Sequence, residues 1–297
     1  MPSIPPPEAQ SQLPDPGPRS APRLPADTAR SVDVPPWPPW TAPAAIAAGF
    51  GLGIVVTIFL DVGAKAGGSS LTHPTAAVSL IGDFLFDAAF VVAALYFAKL
   101  SGRIRASDFG FRAVRWSTAI GGVVAAGVGY YVVTAVYASL LNFHGNEKLP
   151  IPVNNRGALI GTTVFVCVVA PIAEEFFFRG FIFGALRKMR VQIAGRDVGV
   201  WVAAIITGIL FGLAHSGSAA GRYLIPLGFL GFVLCLLRWR TGSLYPCMAL
   251  HSINNSLAMG VGQLHWTTGE VLSLIVGSLL VIAALTGPLG ARSPAIA

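Results

Sequence analysis

The chain has 297 residues, of which 54% are hydrophobic and only 11% are charged, and its mean hydropathy is +0.68. A soluble domain carries about 25% charged residues, so this composition excludes an ordinary soluble protein and predicts a helical membrane domain. The formal net charge is +7. Its basic residues gather in short segments between apolar runs, and this placement argues against a nucleic-acid partner.

The first forty residues form a proline-rich segment. Residues 1–40 contain thirteen prolines and almost no aliphatic periodicity. Such a segment cannot bury enough apolar surface to offset its ordering entropy, so a disordered tail is predicted. It has no apolar core of the kind that a signal peptide requires. Trp37 and Trp40 stand just before the first apolar run and predict an interfacial aromatic anchor.

A single transmembrane domain is predicted over residues 41–290. Its apolar runs favour an all-α, polytopic transmembrane helical bundle of about eight spans. The fifth, sixth and seventh runs are shorter than a full membrane crossing. The eight runs are 42–64, 75–98, 117–142, 158–186, 198–215, 221–238, 243–263 and 270–289.

The distribution of Lys and Arg predicts the orientation of the bundle. The loops after the second, fourth and sixth runs hold eleven Lys and Arg residues, and the loops after the other runs hold four. Because cytoplasmic loops are enriched in Lys and Arg, both termini are predicted to be cytoplasmic in a multi-pass cell-membrane protein. The richness in Ala, Gly, Pro and Arg is typical of a GC-rich bacterial genome.

Small residues and one proline predict features of helix packing. The pairs Gly49-xxx-Gly53 and Gly208-xxx-Gly212 favour close approach of neighbouring helices. Pro171 removes a backbone hydrogen bond from the fourth run and is expected to kink that helix. The kink would lie directly before the most unusual residues of the chain.

Three aspartates fall in the first two apolar runs. Ionisable side chains within a bilayer are costly and usually face a cavity or one another. Asp83 and Asp87 are four residues apart on one helical face. They can belong to a cation or proton path, or can hydrogen-bond to a neighbouring helix, and the structural interpretation is favoured. Asp61 lies near the end of its run.

The fourth run contains two adjacent glutamates. Glu175 and Arg179 have the i, i+4 spacing of a helix-surface ion pair, which predicts a structural salt bridge. Glu174 is rotated about 100° from Glu175 and cannot share that pairing geometry equally. An acid left partly unpaired in an apolar site is suited to act as a general base.

Two histidines and an asparagine complete a polar set on three runs. His215 ends the fifth run, while His251 and Asn255 lie four residues apart on one face of the seventh. A carboxylate and imidazoles around one cavity can activate water for attack on a peptide bond, with His and Asn donating to the oxyanion. Alternatively, His215, His251 and a Glu can bind zinc, although the chain has no His-Glu-x-x-His helix.

These three motifs resemble those of the CPBP family, which includes type II CAAX prenyl proteases and bacteriocin-processing or self-immunity (ABI) proteins. The family pattern is Glu-Glu-x-x-x-Arg, then Phe-x-x-x-His, then His-x-x-x-Asn. This chain has Glu174-Glu175 with Arg179, then Phe211 with His215, then His251 with Asn255. The segment 108–112 also looks like a short stretch that the family often carries. The resemblance covers about residues 100–262.

The resemblance implies an eight-helix intramembrane endopeptidase with a cavity facing the cytoplasm. By this analogy Glu174 activates water with help from His215, and His251 and Asn255 form the oxyanion site. The pair of Glu175 and Arg179 supports that geometry. The family is commonly labelled a metalloprotease, so a divalent metal such as zinc is an alternative, with His215 and His251 as ligands. The spacing favours the metal-free glutamate mechanism.

The expected partners are a membrane protein or peptide as substrate and the lipid bilayer. A prenylated CAAX substrate is not expected, because the composition looks bacterial and farnesyl processing belongs to eukaryotic cells. The oligomeric state is not predicted. Two other functions stay open: a non-proteolytic membrane immunity or regulatory protein, and a proton-coupled transporter that uses the aspartates. The absence of a visible inverted repeat counts against the transporter.

Overall fold

A computed structural model describes residues 34–70, 74–142, 152–217 and 219–290 of the chain. These described residues form one compact unit, the helical bundle. The predicted tail lies outside the described residues as far as residue 33, so its disorder stays a prediction. The expected all-α bundle is confirmed over the described residues, where the only strands form one two-stranded hairpin.

The eight predicted apolar runs are all helical. The helices and strands, in chain order, are α1 (Thr41–Ala66), α2 (Ala76–Lys99), α3 (Ala106–Phe109), α4 (Trp116–Leu140), α5 (Arg156–Leu186), β1 (Gln192–Ile193), β2 (Arg196–Asp197), α6 (Gly199–Ala214), α7 (Gly221–Thr241), α8 (Tyr245–Leu257, continuing as a π turn over Ala258–Gln263) and α9 (Thr268–Thr286, followed by a 3₁₀ turn over Gly287–Leu289).

Six of the described helices are long and apolar enough to cross a membrane, namely α1, α2, α4, α5, α7 and α9. Helix α6 has 16 residues and is shorter than a full crossing. The prediction that the sixth run is short was wrong, because α7 extends to Thr241 and has 21 residues. Large apolar side chains such as Ile58, Val132 and Leu280 stay exposed on the bundle surface. This exterior and the span lengths indicate a membrane location.

Helix α5 is irregular around its proline. Two stretches have π geometry, Phe165–Val169 and Glu175–Ile182. Pro171 has no N–H and therefore cannot serve the carbonyl of Cys167, four residues earlier. The Ser252 hydroxyl of α8 donates to that carbonyl at 2.7 Å. The disturbed backbone of α5 thus becomes a docking point for the helix that carries the histidine–asparagine motif.

Helices α6 and α7 approach each other through glycine. A Cβ atom on Gly208 would lie 2.7 Å from the Gly228 carbonyl oxygen, and one on Gly212 would lie 2.6 Å from the Leu224 carbonyl oxygen. Backbone cannot yield as a flexible side chain can, so only glycine fits here. The predicted close packing at this pair is confirmed. It fixes α6, and with it His215, against the rest of the bundle.

The segment before α1 packs into the bundle. Trp37 is fully buried, and its indole N–H donates to the Phe181 carbonyl at 3.2 Å. The Lys188 ammonium donates to the Pro35 and Trp37 carbonyls. The prediction of an interfacial anchor was therefore wrong for Trp37, because α5 offers its indole a buried partner, whereas Trp40 is exposed.

Candidate active site

Three helices bring Glu174, His215 and His251 together. The Nε2 atoms of His215 and His251 lie 3.8 and 3.9 Å from the same Glu174 oxygen, Oε2. Both separations are too long for a direct hydrogen bond. The Glu174 oxygen is buried and has no hydrogen-bond partner within the described residues. The arrangement thus directs two imidazoles at one buried carboxylate oxygen.

The neighbouring glutamate has a different environment. Glu175 and Arg179 are fully buried, and Arg179 Nη1 donates to Glu175 Oε1 at 2.8 Å. The predicted ion pair is therefore confirmed. The same oxygen also lies 2.8 Å from His251 Nδ1. Glu175 thus joins the guanidinium to one of the two imidazoles, while Glu174 faces both imidazoles from the other side.

Arg179 makes further contacts besides its ion pair with Glu175. Its Nη2 donates to the Gly231 carbonyl of α7 at 3.2 Å, and its Cζ lies 4.2 Å from the centre of the Phe211 ring. The Phe211 ring also lies 4.8 Å from His215 and 5.6 Å from His251. The Phe of the Phe-x-x-x-His motif therefore fills the space between the guanidinium and both histidines.

The hydrogen bonds of the two histidines determine which ring nitrogen carries a proton. His251 Nδ1 faces the Glu175 carboxylate, and His215 Nδ1 lies 2.8 Å from the Phe211 carbonyl oxygen. Both of these partners act as acceptors, so each Nδ1 carries the hydrogen. In the neutral rings the lone pair is then on Nε2, which faces Glu174. Only a doubly protonated ring has an Nε2–H that can donate into the site.

Asn255 lies one helical turn after His251 on α8. Its Nδ2 donates to the Val166 carbonyl of α5 at 2.8 Å, and its Oδ1 accepts from Asn254 Nδ2 at 3.4 Å. Because the spacing is i, i+4, His251 and Asn255 share one face of the helix, as expected. One amide hydrogen is used on α5, and the second remains available.

The aspartates of α2 have unequal surroundings. Asp87 is buried on α2, which packs against the part of α5 that ends at Glu174. Its Oδ2 has no hydrogen-bond partner within the described residues. Asp83 is exposed and Asp61, on α1, is partly exposed. Of these three aspartates, Asp87 alone is buried in the bundle.

His and Glu side chains are also residue types that bind zinc. Across the four described ranges, no group of three His, Cys, Asp or Glu residues is arranged to hold a metal ion. The nitrogen–oxygen separations of 3.8 and 3.9 Å around Glu174 are somewhat longer than the roughly 3.3 Å between tetrahedral zinc donors. Glu174, His215 and His251 would be the residues to hold a metal, whereas the metal-free mechanism relies on their side chains alone.

Sequence reasoning missed the residues that connect the site to its surroundings. The Val166 and Gly231 carbonyls have no signature in a side-chain pattern. Asn254 stands next to Asn255 in an apolar run, and this placement alone was a signal. Tyr131 of α4, whose hydroxyl donates to Asn254 Oδ1 at 3.1 Å, had no such signal.

Comparison with known proteins supports the motif assignment. Residues 156–257 match the family model described as type II CAAX prenyl endopeptidase Rce1-like. This segment begins at the start of α5, ends at the end of α8 and contains all three motifs. No solved structure matches the chain significantly.

Two curated proteins are similar over part of the chain. An uncharacterised 24.3 kDa protein of Escherichia coli is 29% identical over 104 residues, which cover 35% of this chain and 45% of that protein. The UPF0177 protein YxdF of Lactococcus lactis subsp. lactis strain IL1403 is 27% identical over 88 residues, covering 30% and 42%. The chain thus spans less than half the length of these relatives. The family match confirms the resemblance to the CPBP, CAAX protease-like family over residues 156–257.

Proposed function

We propose that the chain is an intramembrane endopeptidase that hydrolyses peptide bonds of membrane-associated proteins or peptides with water activated by Glu174. The observation that carries the proposal is the convergence of His215 and His251 on one buried oxygen of Glu174. Ionisable groups are retained inside a membrane bundle chiefly where they serve a function. The family match over the same helices supports the reaction class.

Glu174 and His215 hold and activate the attacking water. A water between them donates one hydrogen to Glu174 Oε2 and the other to the lone pair on His215 Nε2. The His215 ring is kept in this orientation because its Nδ1–H donates to the Phe211 carbonyl. Glu174 takes the proton as the water oxygen attacks the peptide carbonyl. Positioned general bases of this kind contribute about 10²- to 10⁴-fold.

His251 stabilises the oxyanion as an imidazolium. Its Nδ1–H donates to Glu175, so Nε2 can donate to the developing oxyanion only when the ring carries both protons. Arg179 holds Glu175 in place, and Glu175 orients the His251 ring through its Nδ1. The second amide hydrogen of Asn255 provides the other donor. Loss of one such donor costs about 10²- to 10³-fold in kcat.

Collapse of the tetrahedral intermediate returns the proton. Glu174, now a carboxylic acid, gives its proton to the leaving nitrogen as the carbon–nitrogen bond breaks. The water oxygen stays in the new carboxyl group, which then gives its remaining proton to the free amine, and Glu174 is again ionised. No covalent enzyme intermediate is required, and Ser252, the serine within the third motif, donates its hydroxyl to the Cys167 carbonyl rather than to a base.

The substrates we propose are proteins or peptides within or at the membrane, because the site lies in a bundle with six described helices that are long and apolar enough to cross a membrane. The matched family is named for prenylated CAAX substrates. We propose a membrane protein or exported peptide instead, in a bacterial membrane with both termini of the chain in the cytoplasm. The concentration of Lys and Arg in the loops after α2, α5 and α7 supports that orientation.

The test is a comparison of membrane proteomes from cells that express the wild-type chain or the Glu174→Ala variant. Labelling of protein amino termini should reveal cleavage products that are present in cells with the wild-type chain and absent in cells with Glu174→Ala. Glu270→Ala, at an exposed carboxylate on α9, is the matched control and should retain these products. Identical termini in wild type and Glu174→Ala would favour the non-proteolytic immunity or regulatory role.

A further inference from the structure

A chain of side-chain hydrogen bonds connects α4 to the oxyanion asparagine. The Tyr131 hydroxyl donates to Asn254 Oδ1 at 3.1 Å, Asn254 Nδ2 donates to Asn255 Oδ1 at 3.4 Å, and Asn255 Nδ2 donates to the Val166 carbonyl at 2.8 Å. Of these residues, only Asn255 belongs to the three motifs. This series of hydrogen bonds runs from α4 through α8 to α5.

Each hydrogen bond in this series determines which atom donates and which accepts in the next. The Val166 carbonyl can only accept, so the amide nitrogen of Asn255 must face it. The Asn255 oxygen then points to Asn254, which must present its own nitrogen. The Asn254 oxygen is left to face Tyr131, which acts as the donor. A reversed amide at either asparagine would place two acceptors or two donors against each other.

Helix α4 is otherwise remote from the chemistry. It contributes none of the motif residues, and Tyr130 packs with Leu230 and Leu250 in a separate apolar cluster. Gly127 lets α4 approach α8, since a Cβ there would lie 3.3 Å from Leu250 Cδ1. The packing therefore carries Tyr131 to the side of α8 from which Asn254 can be reached.

We propose that Tyr131 and Asn254 are positioning residues, which lock the Asn255 amide so that its second N–H faces the oxyanion. The inference rests on the proposed endopeptidase function. An amide turned by 180° would present an oxygen to the oxyanion and would repel it. The series of hydrogen bonds keeps the Asn255 amide in the donating orientation before substrate binds, so that the amide does not have to rotate during the reaction.

The test uses Tyr131→Phe, which removes only the hydroxyl. The probe is a synthetic quenched fluorescent peptide that spans the strongest wild-type-dependent cleavage site, and the enzyme is the full chain in lipid vesicles. We expect kcat to fall about two- to tenfold, the range set by one net hydrogen bond, with KM unchanged. Asn254→Ala should behave similarly. Tyr137→Phe is the matched control on α4, because its hydroxyl donates at 3.1 Å to the Arg222 carbonyl instead. It should leave kcat unchanged.

A double-mutant cycle separates positioning from general stabilisation. If Tyr131 acts through Asn255, then Tyr131→Phe should cause no further loss of kcat in an Asn255→Ala background. The same two- to tenfold loss in that background, or no loss in the wild-type background, would overturn the inference. An Asn255→Ala variant with full kcat would instead refute the oxyanion role in the proposed function. The two failures are therefore distinguishable.

Discussion

Replacing Glu175 with glutamine would remove the charge that neutralises a fully buried guanidinium. Arg179 and Glu175 are both inaccessible to solvent, and their ion pair is 2.8 Å long. Breaking a buried pair by removing one partner costs about 3–5 kcal/mol. Glutamine keeps an oxygen that can accept from Arg179, so we expect the lower end, about 3 kcal/mol. Since 1.4 kcal/mol is a factor of ten, unfolding should be favoured by about 150-fold.

The assay is equilibrium unfolding of the purified chain in detergent micelles, followed by aromatic fluorescence. Glu270→Gln makes the same chemical change at an exposed carboxylate that caps α9 beside Thr267, and glutamine also serves in a capping box. The unfolding midpoint of Glu270→Gln should match that of the wild type. Adding Arg179→Met to Glu175→Gln should recover part of the loss, because no charge is then left buried. Equal midpoints for Glu175→Gln and Glu270→Gln would refute the electrostatic account.

Three further predictions concern other parts of the bundle. Gly208→Ala should lower the midpoint of thermal unfolding in detergent strongly, because the added Cβ would collide with the backbone of α7. Gly129→Ala should leave that midpoint unchanged, because no atom lies within 4 Å of the added Cβ. Trp37→Phe loses a buried hydrogen bond and should cost about 1 kcal/mol in the same assay, while Trp40→Phe should cost less. Asp87→Asn keeps the size of a buried side chain that takes no part in the proposed proton transfers, so it should retain cleavage within about threefold. A loss as large as that of the base itself would place Asp87 in the chemistry.

Local spacing predicted the features that lie within one helix or one motif. The i, i+4 relation of Glu175 and Arg179 was sufficient for their ion pair, because both side chains belong to one helical face. The eight apolar runs likewise predicted helices, and the structure has a helix at each of them. The contrast between Glu174 and Glu175 also followed from their 100° separation, and the structure gives the two carboxylates different partners.

Relations between helices could not be obtained in this way. Nothing in the sequence around Trp37 indicates that the Phe181 carbonyl will accept from it, 144 residues later. The packing of α2 against the Glu174 segment of α5, and the approach of Tyr131 on α4 to Asn254 on α8, depend on how four helices are arranged. A single sequence contains no record of such pairings, so they follow only from the three-dimensional arrangement.

The central claim is that Glu174 activates the attacking water. Its most direct test is the single-turnover rate of the full chain in lipid vesicles on the quenched peptide, for wild type and for Glu174→Gln. Glutamine keeps the size of the side chain but cannot take a proton, so the account predicts a fall of about 10²- to 10⁴-fold with an unchanged unfolding midpoint. Cleavage by Glu174→Gln at the wild-type rate would contradict the account.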